Sequence, residues 1–109
     1  MKKKKYIELD RVTKFFATQS KDINNEYIVI VNVLEVEGKL NAPLGEKVNK
    51  SLFAMRIISA GNVRVFYVYG EENKIYGIHG YVKKTREIPK NELDMAIKVC
   101  KELKRVNLV

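Results

Sequence analysis

The chain has almost none of the residues that hold metals or form covalent cross-links. Cys100 is its only cysteine and His79 its only histidine among 109 residues. A single thiol cannot close an intrachain disulfide or build a Cys₂ or Cys₄ zinc site. A single histidine excludes the paired-histidine metal motif and a two-histidine acid–base couple within one chain. Long apolar runs are also missing. None approaches the ~18 residues of a membrane span, and the lysines at 2 to 5 have no apolar stretch behind them. The sequence therefore points to a cytoplasmic protein with no membrane partner, and no metal or other cofactor is expected. There is no Pro- or Ser-rich linker, no repeat and no low-complexity tract beyond the lysine run. Residues 1–109 accordingly read as one domain.

Acidic residues are in deficit. Thirteen Asp and Glu face twenty-one Lys and Arg, giving a formal charge of +8 and a pI near 9.6. Such a field favours polyanions and acts first on non-specific affinity and encounter rate. A lysine-decorated surface is the plainer explanation of the same numbers. Charge names a class of partner but no chemistry.

Periodicity divides the chain into three stretches. Lys4 to Leu9 reads as a short strand, after which Asp10 is placed to cap a helix from Arg11 to Ala17, with Val12, Phe15 and Phe16 at i, i+3 and i+4. Asp22 to Gly38 is rich in β-branched residues, which favour strands. Its polar positions Asn25, Asn32 and Glu35 nevertheless fall on one helical face, alternation fails, and Gly38 sits where a helix C-cap would. The segment is read as a helix and Glu37 to Lys50 as a loop. Leu52 to Ser59, Val63 to Tyr69 and Lys74 to Lys84 are β-rich runs separated by Gly61-Asn62 and by Gly70-Glu71-Glu72-Asn73, so they form an antiparallel meander. Pro89 suits a helix start and Glu92 places an acid near its positive end. Leu93, Ala96, Ile97, Cys100 and Leu103 then form one apolar stripe. A strand, two helices, a meander and a final helix make an α+β domain.

These residues could cut RNA without a metal. The 2′-hydroxyl attacks its own 3′-phosphate once a group removes its proton, cations steady the added charge and the leaving 5′-oxygen is protonated. Arg56, Arg64, Lys83 and Lys84 are the available cations, and His79, Tyr67 and Tyr81 the proton carriers. Arg56 and Arg64 each interrupt an apolar strand, where a charge is costly unless paired. Each reads either as a phosphate clamp or as half of an internal salt bridge, for Arg56 to Glu8 or Glu35. Strand alternation groups His79, Tyr81 and Lys83 on one face. Whether Arg56 and Arg64 share a face depends on hairpin register. A lone histidine between Ile78 and Gly80 is also commonly a hydrogen-bonded core residue, and Gly77 and Gly80 would let a ligand or backbone approach it closely. Cys100, in its apolar stripe, reads as core.

Four blocks then become specific. They are Phe53-Ala54-Met55-Arg56-Ile57, Asn62-Val63-Arg64-Val65-Phe66-Tyr67, Ile78 to Thr85 with its His79-Gly80-Tyr81, and Pro89-Lys90-Asn91-Glu92 through Ala96. In this order they resemble the phage-derived HigB-like branch of the RelE/ParE toxin superfamily, most closely over residues 52 to 103. Tyr81 stands where that branch usually has Phe, and Glu87 where many relatives carry Lys. The resemblance implies a twisted antiparallel sheet of an N-terminal strand plus the meander, with two N-terminal helices and one C-terminal helix packed on one side. It implies a type II toxin–antitoxin toxin, bound by a cognate antitoxin, that cleaves mRNA on the ribosome. Its catalytic set would be Arg56, Arg64, His79, Lys83 and Tyr81, with Lys84, Thr85, Arg86, Tyr67 and Lys47 contacting RNA. The alternatives are a ParE-like inhibitor that binds DNA gyrase without catalysis, and a degenerate phage-derived relative without toxicity.

Overall fold

The computed structural model describes all 109 residues. In chain order the elements are β1 (Lys5–Glu8), α1 (Asp10–Ala17), α2 (Lys21–Glu37), β2 (Gly45–Lys47), β3 (Phe53–Ile57), β4 (Val63–Tyr69), β5 (Lys74–Val82) and α3 (Lys90–Arg105). The α+β class, the three helices and the meander are as the periodicity requires. No helix is long and apolar enough to cross a membrane.

The β-branched segment is helical because its ends and one face leave it little choice. The Ser20 hydroxyl accepts the Ile23 N–H at its start. Gly38, at φ +78°, donates its N–H to the Leu34 carbonyl at its end, a left-handed cap that glycine adopts without a Cβ clash. Between them Tyr27, Ile30 and Leu34 face inward. Asp10 differs from expectation. It lies in the first turn of α1, and the cap position is Leu9, with no side-chain bond.

The strands form one sheet in the order β1-β5-β4-β3-β2. Two features depart from the antiparallel four-strand expectation. β1 pairs with β5 in parallel, while every other pairing is antiparallel. A parallel neighbour needs a crossover, here supplied by the two helices after β1, and no local pattern in a four-residue strand records its direction. β2 lies within the segment read as a loop. Three residues are too few to show alternation, and β2 exists through its pairing with β3.

Helices cover both faces, not one. α1 and α2 supply Val12, Phe16, Tyr27, Ile30 and Leu34 to a core over Met55, Ile57, Val63, Val65, Tyr67 and Ile75. On the opposite face α3 lays Ala96, Val99, Cys100 and Leu103 over Leu52, Ala54, Phe66, Val68, Tyr76 and Ile78. Six of the seven residues of β4 are therefore buried, which is why that strand is apolar on both sides around Arg64.

A β-bulge sits where β5 reaches His79. Phe66 is opposite His79, but the next residue, Tyr67, is opposite Gly77, so Ile78 is the extra residue. The bulge re-aims the strand, and Ile78 and His79 both face α3. Gly77 and Gly80 point the other way, where any Cβ would collide with the Tyr6 phenol and the Phe15 ring respectively. The glycines thus admit the protein's own aromatics, not a ligand beside His79. Gly77→Ala is expected to destabilise the fold by about 1–3 kcal/mol, the usual range for overpacking, read as a lowered urea midpoint.

Candidate active site

The register of the sheet settles which charged residues meet. Arg56 is directly opposite Arg64, and Arg64 is directly opposite Tyr81. One pleat along, Glu46, Ala54, Phe66 and His79 form the parallel row. Both rows face α3, just beyond its first turn.

Arg64 is the most confined of the charged groups, with 4 % of its side chain exposed. Its Nη1 donates to Asn62 Oδ1 at 3.0 Å and to the Val63 carbonyl at 3.3 Å. Its buried Nε has no hydrogen-bond partner, and the nearest carboxylate oxygen, Glu46 Oε1, is 3.8 Å away. Arg56 is half-buried and donates from Nη1 to the Pro43 carbonyl at 3.3 Å, and its Nε is likewise buried without a partner. The Tyr81 hydroxyl is the third such orphan. Burial lowers the pKa of Arg64, and the neighbouring Arg56 charge adds to this. Burial pushes the Tyr81 phenol up to about 12, against the pull of Arg64, so at neutral pH it is a hydrogen-bond donor and not a base. Two guanidiniums side by side repel, and a buried unsatisfied polar group costs about 1–3 kcal/mol. An anion accepting from these groups would offset both costs.

Neither expected internal partner reaches Arg56. The Glu8 carboxylate accepts from Thr13 and from the Tyr27 hydroxyl. Glu35 holds Lys2 Nζ at 2.7 Å and the Tyr6 N–H at 2.9 Å.

His79 stands beside the cation row. Its Nε2 lies 2.8 Å from Glu92 Oε1, in the first turn of α3. An ionised carboxylate only accepts, so this contact places a hydrogen on Nε2. The imidazole is nearly parallel to Phe66 and Tyr81, at 12° and 18°, with its centroid 6.5 Å from that of Tyr81. The stack and the carboxylate together fix the ring's orientation.

A family model described as Phage derived protein Gp49-like (DUF891) matches residues 14–101. The chain belongs to that family. It is a phage-derived family of toxin-like type. A comparison with curated proteins finds no match. The matched span of this Gp49-like chain contains every residue of the two rows and Glu92.

The fold brings Arg56, Arg64, His79 and Tyr81 together. Lys83 borders them, its N–H bonded to the Asn62 carbonyl at 2.7 Å. Lys84, Thr85 and Arg86 are exposed in the segment between β5 and α3, where the Thr85 hydroxyl closes a turn on the Glu87 carbonyl at 2.7 Å. Tyr67 and Lys47 lie elsewhere. Tyr67 is 1 % exposed in the core beneath α1 and α2, and Lys47, paired with Phe53, shares that opposite face. Alternation puts Tyr67 and Phe66 on opposite sides, and β4 has no bulge of its own to change this. Sequence reasoning took Glu92 only as a helix-end charge and Asn62 only as a turn residue, and it passed over Glu46. No spacing along the chain marks Glu92 or Glu46, because each meets its partner across the fold, whereas Asn62 stands only two residues before Arg64, on the same side of the chain.

Two measurements follow from the orphaned groups. Tyr81→Phe removes a buried hydroxyl that bonds to nothing, so its stability should rise by about 1 kcal/mol in urea unfolding. The second concerns pH. Burial raises the pKa of Tyr6, Tyr27, Tyr67, Tyr69 and Tyr81, whereas unfolded tyrosines ionise near ~10. The folded state's preference for the neutral phenol is fully present below pH ~10 and is lost as pH rises further. Urea midpoints should fall steadily above pH ~10, and at pH ~11 unfolding should raise the absorbance at ~295 nm.

Proposed function

We propose that this protein is the toxin of a type II toxin–antitoxin pair, of the HigB-like branch, and that it cuts mRNA on the ribosome without a metal ion. The observation that carries this reading is the row of three unsatisfied donors, Arg56 Nε, Arg64 Nε and Tyr81 Oη, beside a carboxylate-held histidine. Membership of a phage-derived, toxin-like family supports it.

In this reading Arg56 and Arg64 hold the non-bridging oxygens of the scissile phosphate, and Tyr81 donates a further hydrogen bond. Their donors are already oriented, so stabilising the pentacoordinate phosphate needs little reorganisation. His79 Nδ1 takes the proton of the 2′-hydroxyl, while Glu92 steadies the imidazolium that forms. The 2′-oxygen bonds to phosphorus and the P–O5′ bond breaks. The products are a 2′,3′-cyclic phosphate and a 5′-hydroxyl whose proton returns from the imidazolium or solvent. Lys83, Lys84, Thr85 and Arg86 sit where the flanking RNA backbone would pass. A cognate antitoxin would neutralise this basic surface.

Primer extension on cellular messages after induction tests the reading. Defined in-frame cuts in translated messages are expected with the wild type. Arg64→Ala and His79→Ala should each reduce cutting by at least about 100-fold, as loss of a transition-state donor or an acid–base group does. Intact messages in arrested cells would overturn the nuclease and bring a binding target such as gyrase forward. Intact messages with unimpaired growth would mean a chain without toxicity.

A further inference from the structure

The two arginines are joined by the turn between β3 and β4, and that turn is held from the other side of the molecule. Glu26, on α2, accepts three successive backbone N–H groups. Its Oε2 receives those of Ile58 and Ser59, both at 3.1 Å, and its Oε1 receives that of Ala60 at 2.7 Å. Three converging N–H groups form an anion-binding concavity, and the chain fills this one with its own carboxylate. A second contact reinforces the grip. Gly61 packs so closely on Ile23 of α2 that a Cβ there would lie 2.9 Å from its Cδ1.

The clamped turn leads directly into the site. Arg56 lies two residues before Ile58, and Arg64 two residues after Asn62. Asn62 links three groups. Its Oδ1 accepts from Arg64 Nη1 at 3.0 Å, its Nδ2 donates to the Lys83 carbonyl at 2.9 Å, and its own carbonyl accepts the Lys83 N–H at 2.7 Å. Two like charges on adjacent strands push apart, so the hairpin end that carries them needs an external restraint.

We infer that Glu26 is a positioning residue for the site. By neutralising and fixing the β3–β4 turn, it holds Asn62 and hence the Arg64 guanidinium in the geometry that receives the phosphate. The catalytic part of this inference rests on the nuclease reading. The positional part does not.

The test compares Glu26→Ala and Glu26→Gln with Asn24→Ala. Asn24 is on the same helix and ties α1 to α2 through bonds from Nδ2 to the Phe16 and Ser20 carbonyls, each at 3.0 Å. Its loss therefore lowers stability without touching the turn. Three quantities are read on the full chain: exchange of the Ser59 and Ala60 amides, the Nε–H resonance of Arg64, and the single-turnover rate of cutting ribosome-bound message. Glu26→Ala should speed amide exchange at least about tenfold and shift the Arg64 resonance. It should lower the maximal rate about tenfold while the half-saturating concentration stays within about twofold, as a displaced but intact site requires. Glu26→Gln, which keeps one acceptor oxygen, should fall between. Asn24→Ala should change none of the three at a temperature where all variants are folded. An unchanged Arg64 resonance in Glu26→Ala overturns the inference, as does an equal loss of rate in Asn24→Ala. If the wild type cuts no RNA, the nuclease reading fails alone, and the exchange and resonance data still decide the clamp.

Discussion

Two guanidiniums held side by side inside a sheet are the constraint around which this molecule is arranged. Arg56 and Arg64 occupy paired positions on β3 and β4, and the latter strand is covered on both faces. Their only ion pair is a long one, from Arg64 Nε to Glu46 Oε1 at 3.8 Å. Like charges in low dielectric raise the energy of the fold. The surrounding polar groups are deployed to limit that cost. Asn62 and the Val63 carbonyl take Arg64 Nη1, and the Pro43 carbonyl takes Arg56 Nη1. The donors left over are Arg56 Nε, Arg64 Nε and the Tyr81 hydroxyl, all buried without a partner. Unpaired donors and adjacent like charges of this kind lower the stability of the fold.

The three-layer arrangement follows from where each helix can bury its stripe. α1 and α2 take the face with Tyr67 and Val65, and α3 takes the face with Phe66 and Ala54. Because α3 begins only at Lys90, its first turn meets the sheet at His79. That is how a helix-end acid, Glu92, becomes the histidine's partner. The bulge at Ile78 completes the arrangement. Without the extra residue, a strand that buries Tyr76 and Ile78 under α3 would turn His79 and Tyr81 toward Phe15 and away from Glu92.

Much of the fold was legible in short-range pattern. Gly38 and the polar face of Asn25, Asn32 and Glu35 marked α2 as a helix against its β-branched content. The turns at Gly61-Asn62 and Gly70 to Asn73 delimited the meander. The parallel pairing of β1 was not legible, because four residues carry no record of direction. The short β2 was not legible either, because it owes its structure to β3. Site residues divide in the same way. Arg56, Arg64 and His79 stood out as polar groups in apolar strands. Tyr67 looked equivalent to Tyr81 until the alternation of β4 placed it in the opposite core.

By itself the sequence determined the element types, the polyanion-seeking charge and the short set of side chains able to do chemistry, because each depends on composition or on periods of two and 3.6 residues. The tertiary structure alone decided that Arg56 faces Arg64, that Glu92 meets His79 and that Glu26 grips the turn between the arginines. Those contacts depend on strand register, one inserted residue and the placement of α2 and α3 on the sheet. Each is set by packing over the whole domain, since shifting a register by one residue turns every side chain of a strand to the other face.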